Sequence, residues 1–453
     1  MDEPTLHPAP ETLGRFSRNE LTPEEASRIE DHLRSGCSLC QLTVDDLLLQ
    51  LEQALADEAP RPRIDVGWDH LFASLGWRLA LARRERAAAP ELVAGLVATA
   101  EAERLALIRA RPQLRTPAVC DLLLEQSFAE GFPDPAQAIE LAHLAVRVAE
   151  QLDPGLYGRS VVQDLRTRAW AHLGNARRLA SDFLGAEQAL LIAESHLEGG
   201  SADPLEEARV LDFKASLLSD RGRFEEAAGL IDLVIEIYSE IRDSHRHGRA
   251  LISKGVFLGY AGRPGEAVEL ISDGLARIDR GIDLNREPRL ELMAHHNLAW
   301  FLNDCGRSAE AGDLLKSSRD LYRDFPDVWT GIRRIWLEGR IAFGRGRLKE
   351  AEAALLDARE RFLAQGLGYE ASMVTLDLAS LYLQQGRTAK VKKLAREMLP
   401  LFLAQDVHRQ AAAALAAFQQ AVEMDRVTPR LTREVASYLR RAQRNPGLAF
   451  RLS

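Results

Sequence analysis

Gly222-Arg-Phe-Glu-Glu-Ala227, Gly262-Arg-Pro-Gly-Glu-Ala267, Gly306-Arg-Ser-Ala-Glu-Ala311, Gly346-Arg-Leu-Lys-Glu-Ala351 and Gly386-Arg-Thr-Ala-Lys-Val391 are five versions of one stretch. Their glycines step along the chain by 40, 44, 40 and 40 residues. A glycine directly before a helix start fits a left-handed cap, where a side chain is penalised. Five positions after each glycine sits a slim residue: Ala227, Ala267, Ala311, Ala351 or Val391. Seven positions before it sits another: Ala215, Gly255, Ala299, Gly339 or Ala379. Small residues at two fixed places let two antiparallel helices approach closely. Larger apolar residues run between them, as at Leu211, Leu218, Phe224, Ile231 and Val234.

Working toward the amino terminus, Trp170, Gly174, Phe183, Ala186, Leu190 and Ala193 keep the same frame, with Ser181 in the glycine's place. The stretch from Leu122 to Ala145 reads as a degenerate unit before it. From about residue 40 onward the chain is rich in Ala, Leu, Glu and Arg, all strong helix formers. Strand-like alternation is nearly absent, so the class is all-α.

This pattern resembles the tetratricopeptide repeat (TPR). The matching features are a Trp or Leu, a small residue, the inter-helix glycine, an aromatic and the alanine of the second helix, in register from about residue 168 to 405. The unit is longer than the usual ~34 residues. HEAT-type repeats have the right length, but the Gly-Arg-x-x-Glu-Ala start favours the TPR. The resemblance implies a TPR-like helical-hairpin solenoid over 166–407, with capping helices and a basic tail over 408–453. Residues 64–165 are helical, either degenerate repeats or a separate domain. Glu91 to Leu107 is helical by pattern, with Arg111-Pro112 and Thr116-Pro117 as interruptions. Thr428-Pro429 reads as an N-cap and first helical position. Arg426 to Ser453 holds seven Arg and one acid, Glu434, either a solvated capping helix or a docking surface for an acidic partner.

The amino-terminal residues 1–56 carry the motif with chemistry in it. Thr22 and Glu25 form a capping box with Pro23 at the first helical position. The helix ends near Gly36, and Cys37-Ser-Leu-Cys40 follows. His7, His32, Cys37 and Cys40 are two His and two Cys, a set suited to tetrahedral zinc with no open position for water. So little apolar surface needs a metal to fold. The segment resembles the zinc-binding anti-sigma factor module, a zinc-finger-like unit with a His or Cys, then His-x-x-x-Cys-x-x-Cys. One extra residue, Gly36, separates His32 from Cys37. The resemblance implies one structural zinc per chain and a sigma factor as partner; a metal-free remnant is the alternative. Residues 57–63 form a polar linker with two prolines.

The 453 residues carry 58 Lys+Arg against 67 Asp+Glu, a net charge of −9. That balance argues against coating nucleic acid. Met1-Asp2-Glu3 opens without a basic flank, no apolar run spans a bilayer, and four cysteines do not make a disulfide scaffold, so a cytoplasmic location is expected. No phosphate loop, nucleophile elbow or HExxH helix is present, so no enzyme is expected. Cys120 and Cys305 read as buried small hydrophobes, and His295 as a packed core histidine.

The resemblance to peptide-binding repeat proteins points to outward positions on the first helix of each unit. They hold Arg168, Asn175, Arg178, Arg209, Arg249, Tyr260, His296, Trp300, Asn303, Arg333, Trp336 and Arg340. Arginine forks suit carboxylates, and Trp300 and Trp336 could anchor an apolar side chain. One reading is a groove for an acidic protein segment. The other is that arginine is merely frequent and the tryptophans pack between helices. The expected function is a non-enzymatic interaction scaffold tied to transcriptional control through a sigma factor, or else a plain scaffold with a structural cap.

Overall fold

The computed structural model describes Thr22 and residues 68–131, 133–278, 287–403 and 409–442. Every regular element among them is helical. The fold is all-α, a series of TPR-like helical hairpins. The chain forms two compact units, Met1–Phe213 and Lys214–Ser453.

In the first unit, α1 spans Trp68–Ala98, α2 Glu101–Ala110, α3 Pro117–Glu130 and α4 Pro135–Glu150. After the single turn α5 (Pro154–Tyr157) come α6 (Arg159–Leu179) and α7 (Phe183–Leu197). The pattern from Glu91 to Leu107 is broken at Thr99-Ala100, which the sequence did not mark. Arg104 holds that break: its guanidinium donates to the carbonyls of Val97 (2.7 Å) and Thr99 (2.8 Å) and pairs with Glu140. The Thr116-Pro117 signal starts α3 as expected, with the Thr116 hydroxyl accepting from the Val119 N–H. α3 and α4 pack as an antiparallel hairpin, and Ala138, Ala142 and Ala145 are fully buried between them.

Helix α8 is Pro204–Asp220. The second unit pairs α9 (Phe224–Glu240) with α10 (Ser244–Tyr260), α11 (Pro264–Arg277), α12 (Pro288–Asp304), α13 (Ser308–Ser317), α14 (Arg319–Asp324) and α15 (Val328–Gly344). It closes with α16 (Leu348–Ala364), α17 (Gly368–Gln384), α18 (Thr388–Leu403), α19 (Arg409–Glu423) and α20 (Pro429–Ala442). Thr428 caps α20 as expected, accepting from the Leu431 N–H at 3.1 Å.

The repeated glycines do what their position requires. Gly222, Gly262, Gly306, Gly346 and Gly386 have φ of 72°, 97°, 77°, 74° and 66°. Ser181 adopts φ 64° in the same role. At each, the next residue's N–H closes on the carbonyl five back, as from Arg223 to Leu218 at 2.9 Å and Arg347 to Ala342 at 2.9 Å. This ties off the orphan carbonyls of the first helix. The motif's Arg-x-x-Glu is an ion pair on the following turn: Arg223–Glu226, Arg263–Glu266, Arg307–Glu310 and Arg347–Glu350. Being exposed to water and salt, these pairs contribute little to stability.

The slim positions are helix contacts. Ala215, Ala227, Ala267, Ala299, Ala311, Ala351 and Ala379 are all fully buried. A Cβ on Gly255 would stand 2.7 Å from Ile271 Cγ1, and one on Gly339 2.9 Å from Leu355 Cγ. A closer contact was not foreseen. A Cβ on Gly274 would meet the Gly248 carbonyl oxygen at 2.6 Å, so α10 and α11 cross backbone to backbone. Leu211 and Leu218 are only half-buried; Val210 and Leu217 take the core positions.

Candidate functional site

The four proposed zinc ligands, His7, His32, Cys37 and Cys40, and Glu25 of the capping box lie outside the described residues. Among the described residues no group of three or more His, Cys, Asp or Glu is placed to hold a metal.

The outward set from the sequence falls into both units. In the first, Arg168 and Arg209 converge on one buried carboxylate. Arg168 donates to Glu206 Oε1 through Nε (2.9 Å) and Nη2 (2.5 Å), and to Asp121 through Nη1 (2.8 Å). Arg209 Nε donates to Glu206 Oε2 at 3.1 Å. Only 1% of the Glu206 side chain is exposed, and two guanidiniums face it, as a buried carboxylate requires. Arg209 also donates to His172 Nε2 at 3.4 Å, and the His172 ring sits edge-on to Phe128 and Phe213. Burial, then the charges of Arg209 and Arg168, push His172 down to about 3. Asp121, Phe128, Arg168, His172 and Arg209 line a concavity of about 570 Å3 that Arg86 and Leu122 also border. Asn175 and Arg178 stand apart as a local pair, with Arg178 donating to Asn175 Oδ1 at 2.9 and 3.1 Å.

In the second unit α12, α15 and α17 carry a connected ladder. The Trp300 and Trp336 rings meet edge to face at 4.8 Å and 88°. The Arg340 guanidinium lies 3.9 Å above the Trp300 ring and reaches Asp304 at 2.5 Å. Trp336 Nε1 donates to Asp377 Oδ2 at 2.7 Å. Both tryptophans are buried, at 7% and 6% exposure, so their faces are spent on each other and on Arg340. One step back, the Tyr260 hydroxyl donates to Asn297 Oδ1 at 3.3 Å. Asn303 accepts from the Ser308 hydroxyl at 2.8 Å, and Arg249 pairs with Glu287 at 3.1 Å.

Two expectations about the adjacent histidines are reversed. His295, expected inside, is half-buried; His296, expected outward, is buried and shares a 2.8 Å hydrogen bond with the Tyr322 hydroxyl. The short extra helix α14, which supplies Tyr322, covers it. Burial and then the Arg333 charge hold His296 well below the usual imidazole range. Arg333 itself is half-buried and makes no hydrogen bond or ion pair among the described residues. Cys305 is exposed, not buried as expected, because it is the last residue before the Gly306 cap; Cys120 is buried as expected.

Sequence reasoning missed Glu206, Asp121, His172, Asp304 and Asp377. They sit on the same or neighbouring helix faces as the arginines, and a search for complementary acids about one repeat away would have found Glu206, 38 residues after Arg168.

No protein-family model matches the chain, and no curated protein matches it. Solved structures do. A Rap protein complexed with Competence and Sporulation Factor matches with a TM-score of 0.54 and 14% identity, over 70% of this chain and 85% of that one. The fold is TPR-like. A STAND protein with a tetratricopeptide repeat sensor from Pyrococcus horikoshii matches at TM-score 0.49 and 14% identity, over 96% of this chain and 72% of that one. The apo quorum sensor NprR from B. thuringiensis matches at TM-score 0.45 and 12% identity, over 76% and 95%. At these identities the likeness concerns the fold alone. No described helix is long and apolar enough to cross a membrane.

Proposed function

We propose that this chain is a non-enzymatic TPR scaffold that binds a protein partner through the first helices of its second unit, and that the partner presents an acidic segment. The observation that carries this reading is Arg333. It is a half-buried cation with no ion pair among the described residues, on a wall where Arg340, Arg249 and Arg289 each have a carboxylate. An unpaired guanidinium beside a buried aromatic ladder is suited to an incoming carboxylate. The Rap structure, solved with the Competence and Sporulation Factor bound, supports a binding role for a scaffold of this fold. Arg340 is a structural residue on this reading, since its charge is already held between Trp300 and Asp304. The test is affinity capture with the full chain and with Arg333→Glu. A partner held by the first and lost by the second, at equal thermal stability, supports the proposal; equal capture by both contradicts it.

In the same proposal the amino-terminal module holds one structural zinc through His7, His32, Cys37 and Cys40, and couples the scaffold to a sigma factor. What supports this is the chemistry and order of the four residues. A sigma factor captured by the full chain and lost in Cys37→Ser would favour it. Capture unchanged in that variant would leave the plain scaffold.

A further inference from the structure

His296 in the second unit has one nitrogen satisfied and one not. The side chain is 6% exposed, and its Nδ1 shares a 2.8 Å hydrogen bond with the Tyr322 hydroxyl. Its Nε2 is closed to solvent and has no hydrogen-bond partner among the described residues. A buried polar atom left unmade is costly, so an orphan of this kind points to a ligand that completes it. Contacts between α12 and α15 join residues 36 to 38 positions apart, as in Trp300–Trp336, Asp304–Arg340 and Arg289–Asp327. The same step carries His296 to Arg333 and Met293 to Trp329. After burial, the Arg333 charge is the next influence on both the His296 ring and the Tyr322 phenol, which places the guanidinium near the pair. The two helices therefore present two rungs. One is polar, His296 with the unpaired Arg333. The other lies one turn nearer the helix starts and is apolar, with Met293 42% and Trp329 38% exposed. The Trp329 indole packs edge-on against Phe362 at 5.8 Å, which fixes it as a shelf.

We infer that the partner segment received at Arg333 carries an acidic residue and, two residues from it, a large apolar one. The carboxylate is held jointly by the Arg333 guanidinium and the His296 Nε2–H, and the apolar side chain lies on Met293 and Trp329. This rests on the binding role proposed for Arg333. In the complex the Tyr322 hydroxyl donates to Nδ1, which leaves the one proton of the neutral ring on Nε2. That N–H donates to a carboxylate oxygen, and the half-buried Arg333 side chain swings outward to the same group as the ring edge is reached. One unpaired cation matches the single charge of a carboxylate, since the neighbouring Arg334 is already paired with Glu338 at 3.0 Å. A phosphate would bring a second charge with nothing to meet it. The spacing within the segment comes from the rungs. Four residues of helix, from Trp329 to Arg333, rise about 6 Å. In an extended peptide, residues i and i+2 share one face about 6.6–7 Å apart. An acid-x-apolar segment therefore reaches both rungs at once.

Random peptides displayed on phage and selected on the immobilised full chain test this. The expected enrichment is Asp or Glu two positions from Leu, Ile, Met or Phe. A selected peptide, made synthetically, should bind Trp329→Ser about tenfold more weakly, the loss of one aromatic anchor. It should bind His296→Phe about tenfold more weakly as well, the loss of one hydrogen bond to a charged group. A second measurement covers the case in which His296→Phe folds poorly. In the wild-type chain with 15N-labelled histidine, the His296 Nε2 proton should move downfield as the peptide is added. Enriched peptides with an acid but no apolar residue at that spacing, bound as well by Trp329→Ser, overturn the inference and leave the role of Arg333 standing. So does an unmoved His296 proton. Peptides bound equally by Arg333→Glu, or no enrichment at all, overturn both.

Discussion

Gly274→Ala places a methyl group where α10 and α11 cross, and its cost can be worked from the contacts. The added Cβ stands 2.6 Å from the Gly248 carbonyl oxygen, 2.7 Å from Ile252 Cγ1 and 3.1 Å from the Ile252 nitrogen. Two of these are backbone atoms of a helix and cannot turn aside. Overpacking of a tight site costs about 1–3 kcal/mol. Alanine recovers about 1 kcal/mol of helix propensity over glycine. The net expectation is a destabilisation of up to about 2 kcal/mol. Gly229→Ala, in the interior of α9, is the control, since a Cβ there meets nothing within 4 Å. It should stabilise by about 0.5–1 kcal/mol through the same propensity. Urea unfolding followed by circular dichroism, with the m-values compared, measures both. The two substitutions share their chemistry and should differ in sign. If Gly274→Ala is as stable as Gly229→Ala, the backbone-to-backbone crossing is wrong.

Three further outcomes follow from named residues. Ser181→Gly relieves a side chain held at φ 64° and should stabilise the first unit by about 0.5–1 kcal/mol, read as a raised unfolding midpoint. His172 is buried neutral and pushed down to about 3 by burial and two arginines, so the unfolded chain binds a proton that the folded one refuses. Its contribution is fully present above the ordinary imidazole range near 6.5 and is lost as pH falls below it; His172→Gln should flatten the loss of stability between about pH 6.5 and 4, and an unchanged pH profile would contradict this. Metal analysis of the purified chain should find one zinc, absent from Cys37→Ser, and a zinc-free wild type would remove the amino-terminal module from the account.

How much of this could be read beforehand depends on how local the cause is. The left-handed cap at Gly222 and its four counterparts is a property of one residue and its backbone, so it is visible in the sequence; Ser181 was legible only because five glycines had set the period. Ala227 and Gly255 were legible for the same reason, since close approach demands a small residue wherever the helices cross. Gly248 and Gly274 were not, because they contact each other across a gap that no single period marks. The break at Thr99-Ala100 was hidden because Arg104, several residues on, satisfies the freed carbonyls. The same holds for the candidate groove residues of each unit. Arg168 and Arg209, and Trp300 and Arg340, were selected by their register alone. That Trp300 and Trp336 bury each other, and that α14 covers His296, depends on contacts between repeats that one-dimensional spacing does not encode. Arg387 marks the limit of the motif: with Lys390 in place of the usual Glu, both cations turn to Glu352 of the preceding hairpin, at 2.7 Å each.

The central claim is that the first helices of the second unit, around Arg333, receive the protein partner. Hydrogen exchange of the chain, free and with its captured partner, measures this most directly. The account predicts added protection over Pro288–Asp304 and Val328–Gly344, lost in Arg333→Glu, with Ser308–Ser317 and Leu348–Ala364 unchanged. Protection confined to those second helices, leaving α12 and α15 as they were, would contradict it.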